Sequence, residues 1–435
     1  MYLSNQINRV LFILTTLCAL SVHAENSEFY KLLDILEENG NITAKQKTKL
    51  EKAADKSATI ENETALVSTK GGLEINTYDN QFAFELGGRL MIDAAYYNDK
   101  INDLGSGTEL RRARIEAEGI IYEHWAYELA IDFSDADADV KDAYIQNRNF
   151  WPGKLTIGQF KEPFSLEELT SSRYITFMER ALINEIAPGR NIGIGYQTYA
   201  DDWTSAFGLF AESFDDDVDA EGDEGYGVTT RFTYSPVHKD TNVVHIGAAI
   251  SIRKPDDDAE IKLDARPESH LTDVKYINTG KITNIDSAQK AGLEFAWVRG
   301  PLSIQSEAMT IELVRNNGNE DLSFSGYYIY ASWFLTGESR KYKPKKGNFG
   351  RIKSINKKGS WELAVRYSSL NLNDGIISGG KEENITLGVN LYLNPQLRIM
   401  ANYVMIDNDI NADDNGDVTG NDDANLLQVR MQADF

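Results

Sequence analysis

The feature that most constrains this chain is a two-residue period of apolar and polar side chains, sustained to its last residue. In Asn425–Phe435 the positions Leu427, Val429, Met431, Ala433 and Phe435 are apolar, and Gln428, Arg430, Gln432 and Asp434 lie between them. Period two puts the two sets on opposite faces of one strand. The pattern recurs upstream. Leu86, Leu90 and Ile92 alternate with Glu85, Arg89 and Asp93; Ala113, Ile115 and Ala117 with Arg112, Arg114, Glu116 and Glu118; Ile246, Ala248 and Ile250 with His245 and Ser251. It continues through Leu363 and Val365 against Glu362 and Arg366, and Ile399, Ala401 and Tyr403 against Arg398 and Asn402. A soluble β protein or adhesin would have to bury these charges in its core. A closed barrel in a membrane puts them in a wet lumen and turns the apolar set to lipid, with every backbone donor and acceptor satisfied by closure.

Targeting agrees with that location. A short basic lead ends at Arg9, an apolar run covers Val10 to Leu20, and Val22-His23-Ala24 is a small-x-small cleavage site, so residues 1–24 read as a secretory signal peptide. The single cysteine, Cys18, leaves with it, which removes disulfides and thiolate chemistry. No run is long enough for a transmembrane helix, and the mean hydropathy of −0.40 suits strands that alternate. The formal charge of −23 argues against nucleic acid, which needs a basic surface. Much of that acid lies in 214–224, 255–260 and 407–424, Gly/Asn/Asp-rich stretches that read as solvated outer loops.

Residues 25–70 differ from the rest. Phe29, Leu32, Leu33, Ile35 and Leu36 recur at helical spacing, Gly40-Asn41 is a stop, and Thr43 with Gln46 forms a capping box for a second helix. This segment is expected to be a short helical, coiled-coil-like extension on the periplasmic side. From residue 71 to 435 the chain reads as strand, turn, strand. Roughly sixteen to eighteen segments can be marked, the runs near Leu73 and Tyr276 being the least regular, and an even number favours an all-β, antiparallel transmembrane barrel of about sixteen strands. One long connection, 163–189, is too apolar for water; Ser165 reads as an N-cap, and the stretch is placed inside the lumen, narrowing it.

The residues Phe84–Leu90 (FELGGRL), Glu109–Arg114 (ELRRAR), Gly158–Ser172 (GQFKEPFSLEELTSS), Ile175–Arg180 (ITFMER), Arg266–His270 (RPESH), Ala331–Arg340 (ASWFLTGESR) and Leu391–Pro395 (LYLNP) resemble the phosphate-selective porin O and P family. The resemblance spans 71–435 and implies a trimeric sixteen-stranded barrel of the bacterial outer membrane that passes small anions. It places Arg89, Arg111 and Arg112 at the eyelet, and Asp132 where the family has an acid.

Parity gives an independent view of the lumen. The inward set includes Arg89, Arg112, Arg114, Arg148, Arg231, Arg253, Arg366, Arg398 and Arg430, with Glu85, Asp93, Glu116, Glu118, Glu128, Asp132, Glu294 and Glu362 on the same face. Arg111 is out of phase with Arg112, and its parity assigns it to a subunit interface. The arginines either select anions, through planar forked donors that stay charged, or pair with the acids and fill the wall. The pore is therefore anion-preferring with Arg89 and Arg112 at its centre and Arg114 in support, or a non-selective or cation-preferring general porin. An outer-membrane barrel enzyme is the weaker alternative. His124, His238, His245 and His270 sit in no spacing that marks a catalytic arrangement, and neither a cofactor nor a metal ligand set is called for. Asn411–Asp422 imitates a calcium loop through Asp413, Asn415, Gly416 and Asp417, but it lacks the final Glu and flanking helices and reads as solvated. Small anions, outer-membrane lipid and lipopolysaccharide are the expected partners.

Overall fold

In the computed structural model, which describes residues 27–40, 42–52, 65–69, 72–134, 137–213, 224–256, 260–352 and 356–435, the alternation becomes one closed sheet. The sixteen strands that close the barrel are β1 (Ala83–Asn98), β2 (Gly107–Ile121), β3 (Trp125–Asp132), β4 (Asp139–Phe150), β5 (Gly153–Lys161), β6 (Arg190–Tyr199), β7 (Trp203–Phe210), β8 (Tyr226–Lys239), β9 (Asn242–Lys254), β10 (Ile285–Arg299), β11 (Leu302–Arg315), β12 (Leu322–Phe334), β13 (Ser360–Asp374), β14 (Ile377–Asn394), β15 (Leu397–Asn408) and β16 (Asn425–Asp434). Each pairs antiparallel with the next, and β16 returns to β1 in a register running from Asn425↔Asn98 to Asp434↔Arg89. The two irregular runs fall outside the sixteen: Leu73–Asn76 is a short strand added to the same sheet and Ile277–Asn278 a two-residue strand within a connection.

Residues of one parity face outward. Val429 and Met431 are each 41% exposed, while Arg430 between them is 0% exposed. The seam is closed by that arginine, which pairs with Asp93 directly across from it in the register (2.6 Å). Phe435 completes the ladder by exchanging backbone bonds with Gly88 (2.9 and 3.2 Å). A Cβ at Gly88 would meet Arg114 O at 2.4 Å and the Phe435 ring at 2.8 Å, so only glycine lets the last residue close the sheet there.

The two ends of the barrel differ. Connections at the end carrying Ala83 and Asp434 are mostly tight, such as 122–124, 240–241 and 395–396, and those at the other end are mostly longer, with the two-residue turn 375–376 as an exception, as porin barrels have on their periplasmic and outer sides. One tight-end connection departs from this rule: 335–359, between β12 and β13, enters the lumen, where Tyr342 and Phe349 are buried. The outer loop 409–424 also departs from its sequence reading as solvated. Ala412, Val418, Asp422 and Ala424 are buried, and Asp422 accepts bonds from Asn102 and Tyr276.

The lumen is not uniformly wet. Phe164, Phe177, Leu182, Ile183 and Ile186 of the connection 162–189 pack with Leu263 and Ile277 of 255–284 against inward residues of the wall, among them Met309, Ile311, Leu313, Phe324 and Leu370. The barrel thus holds an apolar core against β9–β13, and the aqueous path is displaced toward β1–β6.

A separate unit precedes the barrel. Helix α1 (Ser27–Glu38) is followed by a helix over 44–52. Thr43 N–H donates to Gln46 Oε1 (2.9 Å) and Gln46 N–H to Thr43 Oγ1 (3.3 Å), a reciprocal cap, and Lys47 bridges to Asp34 and Glu37 of α1. The signal peptide read at 1–24 lies outside the described residues, as does most of the acidic stretch 214–224.

Candidate pore constriction

The connection 162–189 is tied to the inner wall by polar bonds that its own backbone leaves open. Glu307 of β11 accepts the N–H groups of Leu166 (2.9 Å) and Glu167 (2.8 Å). Arg398 of β15 donates to the carbonyls of Ile175 (2.7 Å) and Thr176 (2.9 Å), and Arg430 donates to that of Met178 (2.5 Å). Buried backbone groups demand such partners, and the wall supplies them from Arg398 and Arg430, which parity places inward, and from Glu307, which the sequence reading did not single out. Several of the inward arginines are therefore structural. Arg231 pairs with Glu294 (2.7 Å), Arg366 with Glu268 (2.6 Å) and Arg253 with Glu162 (2.6 Å), while Arg148 is exposed near the tight end.

Arg89, Arg111, Arg112, Arg114 and Asp132 all line one aqueous cavity of about 680 Å³. Arg111 corrects the parity reading. The register passes from Met91↔Arg112 to Ile92↔Leu110, so Arg111 is the extra residue of a β-bulge. A bulge re-aims side chains, and both neighbouring arginines turn inward; Arg111 donates to both carboxylate oxygens of Glu179 (2.9 and 3.0 Å). Arg114 holds Asp132 through Nε (3.2 Å) and Nη2 (3.0 Å), and Asp132 also accepts Ala113 N–H, so this acid orients an arginine. Arg89 pairs with Glu116, which also binds Arg173 (3.0 Å), and donates to Ser172 Oγ (2.8 Å). Arg112 is different. Among the described residues it has no ion-pair partner, and its Nη1 makes a 3.5 Å contact to Met91 Sδ.

A second cavity of about 250 Å³ lies under the outer loops. Arg111, Arg180 and His270 line both cavities and mark the level at which they meet. The larger cavity is strongly basic: among the described residues its lining carries twelve Arg and Lys side chains against seven Asp and Glu. Several of these were not singled out from the sequence, namely Lys161, Arg173, Arg180, Arg190, Lys343, Lys346 and Arg351. The last three belong to the in-folded connection 335–359, whose Lys341–Lys346 run (KYKPKK) in a segment too long for a periplasmic turn was the available signal. Arg173, Lys343 and Arg351 stand 5.5–5.7 Å from the Tyr174 ring centroid, so one aromatic face collects three cations toward the tight end.

Glu179 and Glu168, on the connection rather than the wall, stay ionised. Burial alone would raise Glu179, but Arg111 and Arg430 outweigh it and hold its carboxyl well below the usual range. For Glu168, Arg180 and Lys161 overcome the same penalty and leave it at about 2.

A closed sixteen-stranded antiparallel barrel with apolar residues outside, charged residues inside and an in-folded constricting loop defines an outer-membrane porin. Residues 84–435 match the family described as phosphate-selective porin O and P. The chain is 31% identical to Porin O of Pseudomonas aeruginosa over 421 residues, covering 87% of this chain and 94% of that one. Among solved structures it shares a fold with the anion-selective porin of Comamonas acidovorans (TM-score 0.51, 14% identity, 81% of this chain and 100% of that one). It also matches the trimer form of Vibrio cholerae OmpT (TM-score 0.50, 14% identity, 81% and 99%). The chain belongs to the phosphate-selective porin O and P family of outer-membrane channels.

Proposed function

We propose that this porin is a diffusion channel that prefers small anions such as phosphate and its condensed forms, with Arg89, Arg111, Arg112, Arg114 and Asp132 forming the selective wall. The observation that carries this reading is the basic excess lining the larger cavity of a chain whose formal charge is −23. Exposed loop charges more than a screening length of about 8 Å from the constriction act weakly there, whereas charges on the cavity wall act at short range and reduced dielectric. Arg112 supports the reading most directly, since among the described residues no carboxylate forms an ion pair with it and Glu179 and Asp132 act on it only through space. Cleavage of residues 1–24 and assembly as a homotrimer belong to the same proposal; a solved neighbour of the same fold is a trimer, and the outward faces of β2 and β4 carry the small side chains Ala113, Ala117 and Ala143.

The test is single-channel conductance of the purified protein in planar bilayers with ions exchanged one at a time. Replacing potassium by a large organic cation should leave most of the current, and replacing chloride by a large organic anion should remove most of it. The opposite dependence would favour the cation-preferring reading, and equal losses a non-selective pore.

A further inference from the structure

Arg366 is 1% exposed on the inner face of β13, and it is where the two lumen-filling connections meet. Its Nη2 pairs with Glu268 of 255–284 (2.6 Å). On the 162–189 side its Nη1 donates to Glu179 O (3.0 Å) and lies 3.7 Å from Glu167 Oε1, and the guanidinium stands 4.4 Å from the Phe177 ring centroid. Glu268 is fixed in turn. Its carboxylate accepts from Ser368 of β13 and Thr386 of β14 (2.7 Å), its carbonyl accepts from Gln428 of β16 (2.9 Å), and its φ of 52° lies in the left-handed region. A non-glycine residue keeps that conformation only where its surroundings over-determine it.

The consequence falls on Glu179. With its own carbonyl held by Arg366 and the preceding one by Arg430, its carboxylate is directed to Arg111 and Arg430 (2.6 Å). Arg112, the next residue after Arg111, feels Glu179 only through space and has no carboxylate in contact among the described residues. We propose that Arg366 and Glu268 are positioning residues for ion selection: they hold Glu179 away from Arg112 and so keep Arg112 available to a passing anion. The idea rests on the anion-preferring reading of the pore but is tested by a displacement that needs no starting preference.

The experiment is a double-mutant cycle read by reversal potential across a potassium chloride gradient, on full-length protein that retains the heat-modifiable mobility of a folded barrel. Arg366→Gln should shift the reversal potential toward cations, a fall of about threefold in the anion-to-cation permeability ratio, because a freed Glu179 neutralises Arg112. Glu268→Gln, which keeps the shape of the side chain, should shift it in the same direction by less. Adding Glu179→Gln should restore most of the loss, with an effect at least about threefold larger in the Arg366→Gln background than alone. If Arg366→Gln does not fold, the same cycle is run on Glu268→Gln. An unshifted reversal potential in both single variants, or an effect of Glu179→Gln equal in the two backgrounds, overturns the proposal. A wild type that favours cations overturns the pore reading instead, and leaves the shifts within the cycle to decide the clamp.

Discussion

Replacing Arg112 by Gln isolates the charge on which ion selection is argued to depend. The side chain lines the larger cavity, has no described ion-pair partner, and sits in the ladder opposite Met91, so its removal strands no buried acid. A unit charge about 4 Å from a passing ion contributes from about 1 kcal/mol in bulk water to about 4 kcal/mol at an effective dielectric near 20. In a narrow but hydrated lumen, partly screened by salt, about 1–2 kcal/mol is the appropriate range. Since about 1.4 kcal/mol is tenfold, and the charge attracts anions as it repels cations, the permeability ratio should fall by roughly tenfold or more. Reversal potentials measured at low and at high salt give the assay, and the effect should shrink as salt rises. The companion change at Arg89 should do less, because Arg89 is already compensated by Glu116. A ratio unchanged by Arg112→Gln, or changed equally by Arg89→Gln, would refute the reasoning.

Three other outcomes follow from the packing. Arg430→Met removes a fully buried cation and leaves Asp93 unpaired at the β16–β1 seam, so guanidinium unfolding should show a loss of about 3–5 kcal/mol; a loss below about 1 kcal/mol would mean that the seam does not depend on this pair. Glu179, held ionised below its usual range, contributes stability that is present above its ordinary pKa and is lost only as pH falls through the lower folded value. The loop it anchors should therefore stay docked between about pH 8 and about pH 5, and conductance steps appearing within that window but absent in Glu179→Gln would contradict this. Spin labels at Ala248, Leu293, Val429 and Met431 should contact lipid and labels at Gly247, Glu294 and Arg430 should not; equal lipid accessibility of the two sets would rule out the barrel's inside-outside assignment.

Much of the fold could be read from the period of two, because a lipid face tolerates few exceptions and β16, β13 and β9 each keep an apolar outer set. The alternation weakens where the inner face is also apolar. On β12, inward Leu322 and Phe324 face the core made by two connections and inward Phe334 packs with Ile352 and Tyr392, while outward Ser323 and Ser325 are polar, so parity alone cannot orient that strand. The constriction was less legible for a related reason. Arg111 faces inward because of a bulge, which period-two counting turns the wrong way. Arg173, Arg180, Lys343 and Lys346 come from connections, where no periodicity reports direction and only folding into the lumen brings them to the cavity. The acid loop 409–424 is solvated only in part: Asp413, Asp417 and Asp423 face water, but Asp422 turns inward to Asn102 and Tyr276, and nothing in the composition marks that one acid as different.

The central claim is that a basic lumen overrides an acidic chain. The most direct test is the reversal potential of the wild-type channel in a planar bilayer across a potassium chloride gradient near physiological ionic strength. The account predicts a potential of the sign set by chloride, persisting when the outer acidic loops are shielded by added divalent cations. A potential of the sign set by potassium would show that the acids of the wall and loops control the pore.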